Sequence, residues 1–313
     1  MHDTTDPSPV AIVGAGAVGT ALARRLVACG YRVEAVLSRN AGAAQTLASR
    51  VEAPVSGEAW EALPADVRLV VACVPDNAIA SVAEALAPLD HPWGKTIVAH
   101  TSGARTAAAL APLSREGAAT LSFHPLQTFT PDTPPDAFDG IAIGLEGDDR
   151  AVTAGETLAR ALGAHPVRLT AEDKRRYHCA AALASNGLVA LTAVVEEVFD
   201  AANLKPNPGP SGAELVGPLV EQTWTNLQQG TPEGALTGPV ARGDEETVRA
   251  HLEALADELP HLVPLYVALS TEMVRVAVRG GALDQTQAES LLTLLRAAVE
   301  SSASGDDSPA PPL

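Results

Sequence analysis

The sequence predicts an α/β chain: a doubly wound, mostly parallel sheet over 1–169, followed by an all-α domain over 170–301. Three observations predict it. Short apolar runs alternate with helical stretches as far as Leu169, a glycine-rich loop directly follows the first run, and beyond Leu169 only helical patterns remain. A chain of 313 residues is long enough for two domains, each with its own core.

The runs Val10–Val13, Arg32–Leu37, Arg68–Val74, Thr96–His100, Ala119–Phe123 and Ile141–Leu145 read as strands. Most are uninterrupted rather than alternating, the pattern of strands covered on both faces. Between them, Val18–Cys29, Ala41–Arg50, Asn77–Leu86 and Arg105–Glu116 have helical composition. Repeated strand–helix units imply a parallel sheet that binds ligands at the carboxyl ends of its strands. Thr170 and Asp173 then have capping-box spacing and open a helix expected to reach about Asn203. The breaker cluster Lys205–Gly212 ends it. Helices are expected at Ala213–Gln229, Glu245–Leu259, Leu262–Arg279 and Gln285–Ser301, with Asp244 and Asp284 as N-caps. Residues 302–313 have the composition of a disordered tail.

The formal net charge of -17 argues against nucleic acid or an anionic membrane as partner. No tract reaches about eighteen unbroken apolar residues, so no membrane span is expected, and Cys179–Val195 reads as a buried helix. The first residues lack the cationic region and apolar core of a signal peptide. Cys29, Cys73 and Cys179 are far apart in apolar stretches, as buried thiols in a reducing cytoplasm would be. The eight histidines are scattered without ligand spacing, so no metal site is expected.

Gly14, Gly16 and Gly19 have the spacing GxGxxG, directly after a strand and opening a helix. In that setting the first glycine makes the tight turn and the second lets the backbone approach a pyrophosphate. The third packs helix on strand, and the helix N-terminus faces the phosphates. Ala15, Ala17 and Val18 complete this fingerprint of a Rossmann domain. An NAD site places an acidic residue about twenty positions on, where it binds the ribose 2′-hydroxyl. Here Ser38 and Arg39 stand there instead. A hydroxyl and a guanidinium suit a 2′-phosphate, so NADP is the expected cofactor. The alternative is an exposed strand-end arginine with no ligand. Val74, Pro75 and Ser102, at two further strand ends, belong to the same crevice.

Hydride transfer also needs a proton donor or acceptor and a group that orients the substrate. His124 ends a strand at the ligand edge, stiffened by Pro125; the alternative is an imidazole that merely caps backbone groups. Lys174, His178 and Ser185 share one helix face at about 100° per residue, flanked by Tyr177 and Asn186. In the blander alternative Lys174 and Tyr177 are first-turn surface residues and His178 is a satisfied core histidine. Thr237 and Arg242 lie in a stiff loop, where Arg242 either clamps a substrate carboxylate or pairs with Asp244. Cys179 points about 100° away from His178, a poor placement for a thiolate pair.

Together GAGAVGTAL, CVPDNAI, HTSGA, FHPLQTF, YHCAAALASNGLVAL and LTGPVARGD resemble a family of Rossmann-like proteins that carry the C-terminal domain of unknown function 2520. That family is similar in turn to pyrroline-5-carboxylate reductases and to 6-phosphogluconate and β-hydroxyacid dehydrogenases. The resemblance implies a 6-phosphogluconate dehydrogenase-like, all-α and often dimerising C-terminal domain, with the active site in an interdomain cleft. It favours His124, His178 and Asn186 as catalytic residues, and Thr237 and Arg242, with Ser185, as substrate-binding ones. One departure is plain: the β-hydroxyacid enzymes use a Lys-x-x-x-Asn pair, and position 182, four before Asn186, is alanine. The lysine acid/base therefore does not carry over. The expected protein is a cytoplasmic, homodimeric, NADP-dependent oxidoreductase of a small anionic carbonyl or imine compound. The alternative is a non-catalytic NADP-binding sensor or assembly protein.

Overall fold

The computed structural model, which describes residues 9–204 and 209–304, turns the apolar runs into one eight-stranded sheet. Its strands are β1 (Val10–Val13), β2 (Val33–Leu37), β3 (Val55–Gly57), β4 (Leu69–Ala72), β5 (Ile97–His100), β6 (Ala119–Pro125), β7 (Ala142–Gly147) and β8 (His165–Arg168). The spatial order is β3-β2-β1-β4-β5-β6-β7-β8, and every neighbouring pair is parallel except β6 with β7. Both faces are covered, which is why the runs do not alternate. On one face, Leu22 and Leu26 of α1 (Ala17–Ala28), Leu47 of α2 (Ala41–Val51) and Leu158 of α5 (Asp149–Ala161) pack with Ile12, Phe123 and Leu145. On the other, Ile79 and Leu86 of α3 (Ile79–Leu86) and Leu113 of α4 (Ala111–Arg115) pack with Val13, Val70 and Val98. The chain leaves β1 towards β2 and returns to its other side as β4, and this reversal opens a crevice at the carboxyl ends of β1 and β4.

Two strands and one helix carry no clear signal in the sequence. β3 is a three-residue edge strand with no fully buried side chain. β8 lies at the opposite edge, where the missing N–H of Pro166 is tolerated. In α5, Gly155 weakens the helical pattern, yet its bare Cα lets the helix lie directly on Leu121, 2.8 Å from where a Cβ would sit. The helix expected at Arg105–Glu116 is α-helical only over Ala111–Arg115, preceded by a 3-10 turn at Ala107–Leu110.

After β8 comes α6 (Asp173–Ala201), opened by the expected capping box. Thr170 Oγ accepts from the Asp173 N–H at 3.1 Å, and the Asp173 carboxylate accepts from the Thr170 hydroxyl at 2.6 Å. The remaining helices are α7 (Gly212–Gln229), α8 (Pro232–Ala235), α9 (Pro239–Arg242), α10 (Glu245–Glu258), α11 (Val263–Arg279) and α12 (Gln285–Ser304). Asp244 and Asp284 cap as expected, accepting from the Thr247 and Gln287 N–H groups at 3.1 and 2.8 Å. These helices have their own core, built on Val248, Leu252, Val274, Leu291 and Leu295. The chain divides into two compact units, Met1–Asn186 and Gly187–Leu313, so the first half of α6 goes with the sheet. Because α12 runs to Ser304, the expected tail is helical at its start, and 305–313 lie outside the described residues.

One expectation is corrected. Cys179–Val195 is not a buried helix among the described residues: Leu183 is 71% and Val189 70% exposed. Cys179 is exposed and Cys29 half-buried; only Cys73 is a buried thiol. α6 and the segment Pro260–Arg279 are long and apolar enough to cross a membrane by length and composition, the α6 window having a mean hydropathy of 1.6. α7 likewise exposes Leu219 at 68% and Trp224 at 61%.

Candidate functional site

The glycine loop leaves β1 through Gly14, whose φ of +105° and close approach exclude any side chain; a Cβ would overlap the Cys73 carbonyl oxygen. At Gly19 a Cβ would overlap the Gly14 carbonyl. At Gly16 a Cβ would meet nothing within 4 Å. Two glycines therefore hold helix to strand, and the third leaves the floor of the crevice bare. Gly16 is also the N-cap of α1 and supplies no capping side chain, so the first N–H groups of the helix face the crevice. A cavity of about 310 Å³ adjoins them, lined by Gly14, Ala15, Gly16, Ser38, Arg39, Val74 and Pro75. Cys73 and Trp60 complete its walls with residues of α3.

Local bonds fix the corner at the end of β2. Ser38 Oγ accepts from the Asn40 N–H at 3.3 Å, and Asn40 Oδ1 accepts from the Ala43 N–H at 3.0 Å, capping α2. Arg39 is left exposed and makes no ion pair among the described residues. Of the other residues expected at the cofactor, Ala17, Val18 and Gly19 lie on α1 outside the lining of this cavity, and Ser102 lies just beyond β5. Sequence reasoning passed over Trp60, because a lone tryptophan in a short 3-10 turn belongs to no motif.

A second cluster sits at the carboxyl ends of β5 and β6. His100 Nδ1 accepts from the Ser102 N–H at 3.2 Å, so its proton is on Nε2, which donates to the Thr106 carbonyl at 3.0 Å. Burial pushes its pKa down to about 4. His124 and His178 converge on Gly103. A Cβ there would lie 2.7 Å from His124 Nε2 and 2.5 Å from His178 Nδ1, and the ring centroids are 6.0 Å apart, edge to face. Tyr177 meets His124 edge-on at 5.6 Å and lays its ring against Gly144. Burial pushes the Tyr177 hydroxyl up to about 12. The pKa of His124 is pushed down to about 4, first by burial and then by the positive charges of Lys174 and His178. The Nδ1 atoms of His124 and His178 are buried without a hydrogen-bond partner among the described residues.

The structure overturns the alternative in which Lys174 is a first-turn surface residue. It is fully buried, because the first turn of α6 packs straight onto the sheet. Its Nζ donates to the Ser102 carbonyl at 2.9 Å and to Ser122 Oγ at 2.6 Å. Burial pushes its pKa down to about 8, against the opposing pull of Glu146 and Asp76. The helical spacing put Lys174 on one face with His178, but only the fold brings it to Ser122 and the turn at Gly103.

The structure does not link the remaining candidates to this cluster. Ser185 is half-buried and Asn186 exposed further along α6, and neither forms a hydrogen bond among the described residues. Thr237 and Arg242 belong to the second unit, in the loop around α9, where Gly238 and Gly243 have positive φ. Arg242 is exposed and lies 3.9 Å from Asp244, the weaker of its two expected pairings. Among the described residues no group of three His, Cys, Asp or Glu could hold a metal ion.

Comparison with known proteins agrees with this architecture. Residues 5–125 match the Rossmann-like domain, and 141–273 match the domain of unknown function DUF2520. No curated protein matches the sequence. Among solved structures, a Bacteroides fragilis protein provisionally assigned as an NADP oxidoreductase is 26% identical over 85% of this chain and 97% of its own, with a TM-score of 0.68. A Thermotoga maritima protein is 25% identical over 86% and 98%, with a TM-score of 0.69. The reductive aminase of Aspergillus terreus, solved with NADPH and ethyl levulinate, shares the fold at 19% identity over 96% and 97%, with a TM-score of 0.57. The chain is a Rossmann-like protein whose second part is a DUF2520 domain.

Proposed function

We propose that this protein is an NADP-dependent oxidoreductase that transfers a hydride to or from a small anionic carbonyl or imine compound. One observation carries the reading: a bare glycine crevice with an unpaired arginine and a converging histidine pair share the carboxyl edge of a single sheet. The assignment of the Bacteroides fragilis protein supports the cofactor.

The residues present fit NADP. Gly14, Ala15 and Gly16, with the uncapped start of α1, would hold the pyrophosphate, and Ala17, Val18 and Gly19 would seat that helix. Ser38 and Arg39 would hold the 2′-phosphate, and Val74, Pro75 and Ser102 would border the nicotinamide. NADPH, when bound, supplies the hydride. His124 is neutral at pH 7, since its pKa lies far below, and so can accept a proton or hold a substrate N–H or O–H. His178 faces the same point from α6 and orients the reacting group. Asn186 is assigned to the catalytic group with the two histidines, and Ser185, Thr237 and Arg242 to the substrate, with Arg242 binding its anion. A second copy of the chain would cover the apolar faces of α6 and α7, making a homodimer. The cytoplasm, where three free thiols stay reduced, is its compartment.

Fluorescence titration with NADPH and NADH tests the cofactor, and tighter NADH binding would overturn the role of Arg39. A panel of keto acids and imines, followed by NADPH absorbance, tests the chemistry with His124→Ala and His178→Ala as controls. Turnover untouched by both changes would remove the histidines from the mechanism. Binding without any turnover would identify a nucleotide-binding sensor instead.

A further inference from the structure

We propose that Lys174 is the positioning residue of the histidine pair: its ammonium ties Ser102 to Ser122, fixes the Gly103 turn against both imidazoles and sets a positive charge behind them. The inference deepens the oxidoreductase reading, because it assumes that His124 and His178 are the reacting pair.

Lysine is almost never fully buried unless paired. Lys174 has no exposed surface and no carboxylate partner within ion-pair distance, only a carbonyl and a hydroxyl. Burying such a charge opposes folding, and a neutral donor or an apolar side chain would fill the space at lower cost. What the ammonium adds is visible in the turn. The Ser102 N–H donates to His100, its Oγ accepts from the Ala104 and Arg105 N–H groups, and its carbonyl accepts from Lys174. Ser122 Oγ, which accepts from Lys174 at 2.6 Å, sits in β6 two residues before His124. One ammonium thus joins the strand that bears His124 to the turn that bears Gly103, from the helix that bears His178.

The same charge sets proton affinity. The titratable groups around it are His100 at the end of β5, His124 on β6, His178 and Tyr177 on α6, Asp76 beyond β4 and Glu146 on β7. Burial is the first cause of the low proton affinity of His124; Lys174 adds to it by disfavouring a second positive charge, and Asp76 opposes it. Together they keep His124 a free base over the neutral range.

Histidine ring titration by NMR tests this in the full chain and needs no substrate. In Lys174→Met the His124 midpoint is expected to rise by about one pH unit, roughly a tenfold gain in proton affinity, with exposed His165 as an unmoved control. An unmoved His124 midpoint in a folded variant overturns the proposal. Should the variant not fold, labelled lysine in the wild-type chain decides. Lys174 is expected to titrate near 8, and a midpoint at the ordinary lysine value overturns the proposal. Wild-type NADPH binding fails separately: its loss would sink the oxidoreductase reading and leave the Lys174 result standing.

Discussion

At Gly103 two imidazoles occupy the place a side chain would take. In Gly103→Ala the new methyl must displace His124 or His178, so kcat is expected to fall at least about tenfold while NADPH titration stays close to wild type. Arg39 is the matching test for the cofactor. Arg39→Glu replaces an unpaired cation with a charge that repels phosphate, and the NADPH-over-NADH preference should fall by about tenfold or more in the same fluorescence assay. The two residues also mark what a sequence can disclose. Arg39 was legible because the dinucleotide fingerprint fixes the distance from the glycines to the ribose. The partners of Gly103 and Lys174 were not, because they come from neighbours on other strands. Helical spacing put Lys174 beside His178, but it lies in the first turn of a helix, where surface lysines are common, and only docking of that turn on the sheet buries it.

Among the elements, α1 depends on Gly19. A Cβ there would strike the Gly14 carbonyl, so Gly19→Ala must push the helix off β1. Overpacking of this kind is expected to cost about 1–3 kcal/mol, read as a lower urea midpoint. The cap of α6 is a milder case: Thr170→Ala removes the oxygen that accepts from Asp173 and should cost about 1 kcal/mol. Elements with strong local signals were readable: the buried runs of β1, β4 and β5, the capping box of α6, and the Asp244 and Asp284 caps. β3, β8 and α5 were not. Two are short edge strands that pairing alone defines, and the third keeps a glycine for close packing at the expense of its own helical pattern.

For the whole molecule, His100 makes stability depend on pH. Its folded pKa is about 4, below the ordinary value of 6.5. Above pH 6.5 neither state binds the proton. Between 6.5 and 4 the unfolded chain binds it and the folded chain does not, so stability is lost as pH falls through that window, by about 3 kcal/mol. His124 acts in the same direction. Urea unfolding at pH 7 and pH 4.5 should show the drop, and His100→Asn should flatten it. Association is the other property at this scale. Leu219 and Trp224 lie exposed on α7, and light scattering is expected to find a dimer that Leu219→Asp converts to monomer. A wild-type monomer would leave those faces for some other partner.

The turn at Gly103 also has an evolutionary reading. Its missing carbon is the space that His124 and His178 share, so the three positions constrain one another and should change together. A relative with a side chain at this point must have given up one imidazole or moved it. Sorting relatives by this triplet would separate chains that keep both imidazoles at this turn from those that do not, before any of them is purified.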